Sequence, residues 1–384
     1  MEKIRVLEMI DQPFLGGGQI ALLSLAKHLN REKFEVSVCS GDGGPLVAEV
    51  KKNSISHFAV PFSKKFRGRI IGAITSILKK NQIDILHTHG GVAGFYGRWA
   101  ASRCQTPVII HTLHGIHYLH YRNVLKKRAY IFLERIFSRF TDALVFVSDS
   151  DMKKGRKLKL ASEAKMCVIK NGIDIRALKG REDRESKKRE LGLDLSQPIV
   201  GTVARLHRQK GIIYLLRAAE KIHQVFPVAR IVIVGGGPLR KKLEDFARKL
   251  RLEDFLFFLG EREDAHLLLS LFDVFVLPSL WEGLPYVLLE AASLSRPIIA
   301  TDIDGTREVI KDHETGILVP PQNSQKLAEA TIKLLADREF ASRLAEKARE
   351  NIPPAYPLSR MVEETQSLYL RLYRKTREAR TDHN

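Results

Sequence analysis

The sequence contains few of the features that mark disulfide-bonded, zinc-binding or membrane-spanning proteins. Among its 384 residues there are three cysteines, Cys39, Cys104 and Cys167, and none belongs to a CxxC pair. An odd, scattered set argues against a disulfide framework and a cysteine zinc site, and it fits a reducing cytosol. No apolar run reaches the ~18 residues of a membrane-spanning helix, because the best one, 267–280, contains Asp273.

The first ten positions also lack the pattern of a secretory signal. Glu2 and Glu8 lie among their apolar residues, so this stretch predicts a buried first strand. We therefore expect a cytoplasmic protein that at most lies on a membrane surface.

Acidic residues are scarce in the first half of the chain. Residues 1–185 contain 32 Lys and Arg against 17 Asp and Glu, whereas residues 186–384 contain 31 against 27. Most of the net charge of +19 therefore lies in the first half, which we expect to face an anionic partner. Nucleic acid, acidic lipid and a phosphorylated acceptor all satisfy this condition.

Short runs rich in Val and Ile recur along the whole chain, separated by segments of helical length. Such runs are typical of parallel strands covered on both faces, and two series of similar size predict two Rossmann-like domains built from βαβ units. The predicted strands are 4–10, 34–39, 83–87, 108–112, 143–147 and 166–169, followed by 199–204, 230–234, 255–259, 274–277, 298–300 and 317–319.

Composition also indicates the domain boundaries. A polar, charge-dense stretch at 176–190 predicts a linker. We place the first domain at 1–180, the second at 190–357 and a C-terminal helix within 358–384. The prolines that precede this last segment should break the chain before the helix begins.

A glycine-rich turn follows the first predicted strand. Gly16, Gly17 and Gly18 precede a helical pattern over 20–29, so backbone N–H groups can approach an anion at the positive end of a helix. The pattern is not the GxGxxG of dinucleotide-binding proteins, and a tight turn without a ligand is the alternative interpretation.

Two cations and two carboxylates carry the stronger evidence in the second half. Arg205 and Lys210 follow a predicted strand, at the sheet edge where α/β proteins bind ligands, and they suit a diphosphate. Glu282 lies in a loop after another strand, and Glu290 lies in an apolar helix where an unpaired charge would be costly. Hydrogen bonds from sugar or ribose hydroxyls would remove that cost. A solvated loop and a surface glutamate are the structural alternatives.

In this order and spacing, the motifs resemble those of the retaining GT-B glycosyltransferases of family 4, including members that serve bacterial surface-polysaccharide assembly. The resemblance covers nearly the whole chain. It is carried by Gly16-Gly17 with Gln19, His114-Gly115, Asn171-Gly172-Ile173-Asp174, Arg205 with Lys210, and Glu282 with Glu290.

The resemblance implies an α/β fold of the GT-B type, with two Rossmann-like βαβ domains, an interdomain cleft and a C-terminal helix that crosses back to the first domain. It implies retaining transfer of a sugar from a nucleotide-diphosphate donor to an acceptor hydroxyl. It also implies no metal and no other cofactor, because the nucleotide sugar enters as a substrate.

The donor-binding residues follow from the same resemblance. Glu290 would hold the ribose hydroxyls of the nucleotide. Glu282 would hold the transferred sugar, together with the backbone N–H groups of Gly283 and Leu284.

The resemblance also implies which residues act at the reacting bond. Arg205 and Lys210 would neutralise the departing diphosphate, and His114 would lie beside the anomeric carbon. Gly16 and Gly17 would line the cleft near the phosphates.

Residues on the acceptor side are less fixed by the family pattern. Gln19 stands where a glutamate is more usual, which leaves the acceptor geometry open. His87, His89 and His117 belong to histidine clusters that follow predicted strand ends, and we expect them to line the acceptor side. Zinc binding by these histidines and a purely structural role are the alternatives.

Asp302 and Asp304 match the DxD pattern of metal-dependent glycosyltransferases. Such a short pattern often arises by chance. Because Arg205 and Lys210 can already neutralise a diphosphate, a metal at this position would be redundant.

The segment 121–140 combines an apolar stripe at helical spacing with basic residues around it. Lys126, Lys127 and Arg128 are the candidates for contact with an anionic membrane surface. A helix packed on the core with a solvated basic face is the alternative, but the basic cluster at 153–159 favours the membrane. We expect a lipid-linked or phosphorylated glycan acceptor, at the inner face of the cytoplasmic membrane.

Other functions remain to be separated from this one. A sugar-nucleotide epimerase or a phosphorylase could share the fold. A nucleic-acid-binding protein would explain the positive charge, but the sequence holds no recognised nucleic-acid-binding motif, and we expect no such partner.

Overall fold

The computed structural model describes residues 2–62, 67–176, 178, 184–192, 194 and 196–381. The chain forms two compact units. Unit 1 comprises Met1–Gly172 and Leu358–Asn384, and unit 2 comprises Ile173–Pro357. Each unit is an α/β domain with one parallel sheet, so the prediction of two Rossmann-like domains is confirmed.

Unit 1 is built around a parallel sheet of seven strands: β1 (Ile4–Ile10), β2 (Phe34–Ser40), β3 (Ser56–Ala59), β4 (Ile85–His89), β5 (Val108–Leu113), β6 (Ala143–Phe146) and β7 (Met166–Val168). The strand order is β3-β2-β1-β4-β5-β6-β7. Six strands match predicted runs, because a strand covered on both faces needs apolar residues at nearly every position. The edge strand β3 was not predicted, since its sequence, SHFA, is partly exposed.

Helices connect the strands of unit 1. In the described part of the chain they are α1 (Gly17–His28), α2 (Gly44–Lys52), α3 (Arg67–Lys80), α4 (Gly91–Cys104), α5 (Val124–Phe137) and α6 (Asp149–Lys157).

Unit 2 contains a parallel sheet of six strands: β8 (Ile199–Val203), β9 (Arg230–Val234), β10 (Leu256–Gly260), β11 (Val274–Leu277), β12 (Ile298–Thr301) and β13 (Ile317–Val319). Their order is β10-β9-β8-β11-β12-β13. The helices described in this unit are α7 (Arg184–Glu190), α8 (Ile212–Val225), α9 (Arg240–Lys249), α10 (Ala265–Leu271), α11 (Tyr286–Ser293), α12 (Asp304–Arg307), α13 (Ser324–Ala336) and α14 (Arg338–Ala355).

The last helix, α15 (Leu358–Thr381), returns to unit 1, as the predicted fold requires. Its apolar side joins the core formed by β1, β2 and α1. Tyr369 is fully buried there and packs edge-on against Phe34, with ring centroids 6.0 Å apart.

Part of the predicted linker forms a helix. Part of the predicted linker, 177 and 179–183, lies outside the described residues, but 184–190 forms α7. Lys187 of α7 pairs with Asp264 at 2.6 Å, which ties this helix to unit 2. The predicted break before the last helix is confirmed, because α14 ends at Ala355 and α15 begins at Leu358, although α14 runs through Pro353 and Pro354.

The strand orders fix where a ligand can bind. In each sheet the chain reverses direction across the strand order once, between β1 and β4 in unit 1 and between β8 and β11 in unit 2. Open α/β sheets bind ligands beyond the carboxyl ends of the strands at such a switch point.

No helix in the described part of the chain is both long enough and apolar enough to cross a bilayer.

Candidate active site

Two loops meet at the switch point of unit 2. One follows β8 and ends at Gly211, and the other follows β11 and begins at Pro278. Gly211 has a φ of +60°, and a Cβ at this position would lie 2.0 Å from the carbonyl oxygen of Pro278. A backbone hydrogen bond of 2.7 Å from Leu280 to Gln209 joins the loops further along. Only a glycine at position 211 permits this close approach.

The carboxylate of Glu282 is the centre of a polar cluster where these loops meet. Lys210 Nζ lies 2.5 Å from its Oε1, and Ser279 Oγ donates to the same oxygen at 2.7 Å. Gln209 Nε2 donates to Oε2 at 3.1 Å. The structure thus brings together Lys210 and Glu282, which the sequence predicted as site residues, and adds Gln209 and Ser279.

The loop that carries Glu282 rests on the start of α12. A Cβ on Gly305 would lie 2.5 Å from the carbonyl oxygens of both Glu282 and Gly283. Any larger residue at position 305 would therefore displace the loop. Beside this contact, Asp302 accepts two hydrogen bonds from Arg307, so the first carboxylate of the DxD pattern is already paired.

Glu290 lies on α11 among buried apolar residues, as its sequence context predicted. Its carboxylate has no hydrogen-bond partner among the described residues. Burial raises the pKa of Glu290 to about 7. Glu290 is itself half-buried, and a carboxylate that forms no hydrogen bond to a described residue can accept hydroxyl donors from a ligand.

Arg205 differs from Lys210 in its surroundings. Its side chain is exposed at the end of β8 and forms no ion pair with any described residue. Its guanidinium is therefore available to an anionic ligand, whereas Lys210 is held by Glu282.

A buried network occupies the switch point of unit 1. Glu8 of β1 is fully buried, and its Oε2 lies 2.8 Å from Nε2 of His89 at the end of β4. His89 Nδ1 lies 2.9 Å from Nε2 of His114, which follows β5. Gly115 then takes a φ of +99°, so the chain turns directly after His114.

The other oxygen of Glu8 is also occupied. Tyr369 of α15 donates its hydroxyl to Glu8 Oε1, and His87 Nδ1 lies beside the same phenol oxygen. Thr112 Oγ1 lies 2.7 Å from the remaining ring nitrogen of His87. Glu8 and Tyr369 were not predicted from the sequence as residues of a site. The sequence signal that could have identified Glu8 is that it is the single acidic residue within the apolar run of β1.

This network corrects the place predicted for His87 and His89. Their exposed fractions are 2% and 1%, and both ring nitrogens of each are occupied by neighbouring side chains. They therefore lie inside unit 1 and not on an acceptor-facing surface.

The network has the residue types of a metal site. Donor atoms of Glu8, His87 and His89 lie within 4.8 Å of one another. The hydrogen bonds described above already engage these atoms, so the arrangement suits a closed proton-sharing network. Burial alone would raise the pKa of Glu8, but the two histidines outweigh it and hold this pKa well below its usual range.

The remaining predicted acceptor-side residues lie near the network. The glycine turn caps α1, where Gln19 Nε2 donates to the carbonyl oxygen of Gln12 at 3.2 Å. His117 packs edge-on against Tyr121 and Tyr130, and burial lowers its pKa. These positions are compatible with the predicted roles, which stay predictions.

Helix α5 exposes its apolar stripe. On its inner side Glu134 forms a buried salt bridge with Arg98 at 2.6 Å, which fixes the orientation of the helix on unit 1. Leu125 and Phe132 are consequently 76% and 61% exposed. Lys126 and Arg128 are exposed next to them, while Lys127 is half-buried.

Two family models match the chain. Residues 15–177 match the model described as Glycosyltransferase Family 4, and residues 183–351 match the model described as Glycosyl transferases group 1. Two parallel-sheet α/β units with polar residues at their switch points define a protein of the GT-B class. The chain belongs to the family that these two models describe, and it is therefore a glycosyltransferase.

Curated relatives resemble the chain over nearly its full length. It is 29% identical over 379 residues to the UDP-Gal:alpha-D-GlcNAc-diphosphoundecaprenol alpha-1,3-galactosyltransferase of Escherichia coli, covering 96% of this chain and 97% of that protein. It is 25% identical over 371 residues to the N-acetyl-alpha-D-glucosaminyl L-malate synthase of Bacillus anthracis, covering 93% and 94%.

Solved structures share the fold. Anabaena HepE in complex with UDP-glucose superposes with a TM-score of 0.84 at 20% identity, covering 95% of this chain and 99% of that chain. WaaG, a glycosyltransferase involved in lipopolysaccharide biosynthesis, gives a TM-score of 0.77 at 18% identity, covering 95% and 99%. These structures confirm the GT-B architecture of the two units.

Proposed function

We propose that this glycosyltransferase is retaining and metal-independent, and that it transfers a sugar from a nucleoside diphosphate to a hydroxyl of a lipid-linked or phosphorylated glycan. The observation that carries the proposal is the Lys210–Glu282 cluster at the switch point of unit 2. This cluster combines a cation suited to a diphosphate with a carboxylate suited to sugar hydroxyls.

Unit 2 binds the donor in this proposal. Breaking a glycosyl–phosphate bond increases the negative charge on the diphosphate, and Lys210 and Arg205 provide fixed positive charge for it. Glu282 accepts hydrogen bonds from the transferred sugar, beside the N–H groups of Gly283 and Leu284. Glu290 accepts hydrogen bonds from the ribose.

The hydrogen bonds of Glu282 favour a direct transfer over a covalent enzyme intermediate. Lys210, Ser279 and Gln209 all donate to its carboxylate, which lowers its strength as a nucleophile. The acceptor oxygen then bonds to the anomeric carbon on the face from which the diphosphate oxygen leaves. The acceptor proton passes to that leaving oxygen, so charge and protons balance and the configuration is retained.

The nature of the acceptor is inferred from a relative and from charge. The relative from E. coli is named for transfer to a diphosphoundecaprenol-linked GlcNAc. Unit 1 contains most of the residues that give the first half of this chain its positive charge. A glycan carried on an anionic lipid diphosphate fits such a domain.

The exposed stripe of α5 supports a peripheral position at the inner face of the cytoplasmic membrane. Leu125 and Phe132 can enter the acyl–headgroup boundary while Lys126 and Arg128 meet anionic lipid, with Lys127 at the margin. A helix of this kind would bring the protein to a lipid-linked acceptor.

The proposal is tested by incubation with UDP-galactose, UDP-glucose or another nucleotide sugar and a lipid-diphosphate-linked sugar in EDTA. We expect release of the nucleoside diphosphate and a glycolipid whose new bond keeps the donor configuration, as read by NMR. Inversion would contradict retention, and loss of activity in EDTA would contradict metal independence. Interconversion of nucleotide sugars without an acceptor, or dependence on inorganic phosphate, would indicate an epimerase or a phosphorylase.

A further inference from the structure

The buried network of unit 1 has one consistent arrangement of protons. Glu8 is an acceptor on both oxygens, because Tyr369 donates to Oε1 and His89 Nε2 lies 2.8 Å from Oε2. His89 must therefore carry its proton on Nε2. In a neutral imidazole the other nitrogen, Nδ1, is then an acceptor.

The position of the proton on His89 determines the position of the proton on the next ring, His114. His89 Nδ1 faces His114 Nε2 at 2.9 Å, so His114 must donate from Nε2. A neutral His114 then has an unprotonated Nδ1. Burial lowers the pKa of His89 to about 4 and also lowers that of His114, which keeps both rings neutral near pH 7.

The Nδ1 atom of His114 is the open end of this chain of hydrogen bonds. It is buried and has no hydrogen-bond partner among the described residues. A buried acceptor without a partner is unusual and calls for a ligand that donates to it. The other buried groups of the network are paired.

The His114 ring is held in place from two sides. It lies edge to edge with His89, joined by the hydrogen bond, with ring centroids 5.1 Å apart and an interplanar angle of 21°. A Cβ at Gly18 of the glycine turn would lie 3.2 Å from its Cδ2 atom, so the turn packs closely against the ring. Such packing fixes the orientation of the ring without any direct contact to Glu8.

We propose that Glu8, acting through His89, is a positioning residue that holds His114 in the tautomer whose Nδ1 accepts a hydrogen bond from a sugar hydroxyl. The tautomer follows from unit 1 alone, whereas its use on a sugar rests on the proposed glycosyl transfer. Glu8 is connected to His114 only through His89. In this proposal Glu8 itself makes no contact with the substrate.

The tautomer is measured directly by NMR of the ¹⁵N-histidine-labelled protein. The chemical shifts of ring nitrogens distinguish protonated from unprotonated atoms, and His114→Gln assigns the signals. We expect His114 with a protonated Nε2 and a bare Nδ1 near pH 7. The opposite tautomer or a doubly protonated ring in the wild-type protein would overturn the proposal.

Glu8→Gln should change which ring nitrogen carries the proton in His89 and His114, while it keeps a side chain of the same size at position 8. While His87 keeps its proton on Nδ1 and donates to the phenol oxygen, Tyr369 must donate to the side chain at position 8. The amide oxygen then faces Tyr369 and the NH₂ group faces His89. His89 then accepts at Nε2 and donates from Nδ1, which forces the proton of His114 onto its own Nδ1. Tyr369→Phe is the matched control, since it removes a bond to Glu8 but leaves the bond to His89.

We expect Glu8→Gln to show the reversed His114 tautomer and a kcat lower by about 10- to 100-fold, with UDP affinity unchanged. Tyr369→Phe should keep the wild-type tautomer and lose much less activity per folded molecule. An unchanged His114 tautomer in Glu8→Gln, with His87 still protonated on Nδ1 in the same spectrum, would overturn the relay. A reversed tautomer with full activity would overturn its role at the site. Failure of the wild-type protein to transfer sugar would instead overturn the proposed function and leave the NMR result standing.

Discussion

Lys210 is the side chain on which the proposed donor chemistry depends most. It is held 2.5 Å from Glu282, so its ammonium is fixed before any ligand arrives. Replacement by alanine should lower kcat by about 10²-fold or more, because one charge-stabilising donor is lost from the leaving diphosphate. Steady-state kinetics with the best nucleotide sugar provide the measurement.

Lys187→Ala is the control for this change. Lys187 also forms ion pairs in unit 2, with Glu190 and Asp264, but it lies on α7 and outside the Glu282 cluster. Its replacement should leave kcat near the wild-type value. Near-normal turnover of Lys210→Ala would exclude a role at the diphosphate.

Glu290 should make the stability of unit 2 depend on pH. Its pKa rises from 4.5 to about 7 on burial, so the folded protein binds more protons than the unfolded chain between these values. Stability from this group is therefore lost as the pH rises through that window. We expect the Tm of Glu290→Gln, relative to wild type, to increase from pH 5 to pH 8. A constant difference would contradict a raised pKa of this half-buried carboxylate.

The same variant tests the contact with ribose. Glu290→Gln should weaken UDP binding by about tenfold, the scale of a lost hydrogen bond to a charged acceptor. Glu220→Gln, at an exposed position of α8, is the matched control. Titration calorimetry that finds equal UDP affinity in both variants would remove the ribose assignment.

Residues of the candidate site differ in how readily the sequence reveals them. Lys210 and Glu282 could be predicted because each follows an apolar strand run within a recognisable motif. Glu8 and Tyr369 could not be predicted as partners, since 361 residues separate them and only α15 folding onto β1 brings them together. Buried pairs of this kind depend on tertiary packing, which local patterns do not encode.

At the scale of elements, the meeting of the β8 and β11 loops depends on Gly211. A side chain there would overlap the carbonyl oxygen of Pro278 and would also need a left-handed backbone. Gly211→Ala should lower both stability and kcat. Gly192→Ala is the control, because Gly192 has a similar φ of +67° but open space around its Cβ position.

Comparison of the two variants separates the cost of a left-handed backbone from the cost of the steric overlap with Pro278. Gly192→Ala should cost about 1 kcal/mol, from backbone conformation alone, whereas Gly211→Ala should cost more and reduce turnover. Chemical denaturation together with kinetics measures both. Equal losses of stability and full activity in both variants would show that the loops need no such contact.

Helix α5 should determine binding to anionic vesicles. Leu125→Ser with Phe132→Ser removes exposed apolar area from the stripe, and Lys126→Gln with Arg128→Gln removes its charge. Each pair should weaken sedimentation with vesicles containing anionic lipid. Val228→Ser in unit 2, where the side chain is 57% exposed, should have no effect. Vesicle binding that survives both pairs would show that α5 does not contact the membrane.

The sequence predicted most of these elements but not all of their details. Buried strands such as β1 and β9 have nearly continuous apolar runs, and their bounds were predicted closely. The short edge strand β3 lacks that signal. Helical spacing identified the apolar stripe of α5 without showing what covers it, so the choice between a core-packed and an exposed stripe depended on the basic residues around it.

At the scale of the whole molecule, α15 completes the core of unit 1 although it is the last helix of the chain. Met361, Val362 and Tyr369 are buried in that core. A chain ending at Pro357 should therefore lose hydrogen-exchange protection in β1 and β4 while unit 2 keeps its protection. Retained protection of β1 would show that unit 1 is stable without α15.

The two-domain architecture could be predicted from the sequence because both halves of the chain alternate apolar runs of strand length with segments of helical length. The return of α15 to unit 1 was an expectation from family resemblance, and its packing on β1 and β2 confirms it. The second half of the predicted linker was wrong, since ion pairs among Lys187, Glu190 and Asp264 stabilise a helix in a sequence of high charge.

The central claim is that unit 2 binds a nucleoside diphosphate without a metal. A thermal-shift panel of UDP, GDP and ADP, each in EDTA, tests it most directly. We predict that one of them raises the Tm, since a ligand at about 100 times its Kd stabilises a protein by about 2.7 kcal/mol, and that Glu290→Gln reduces the shift. No shift with any nucleotide, or a shift that appears only when a divalent metal replaces EDTA, would contradict the account.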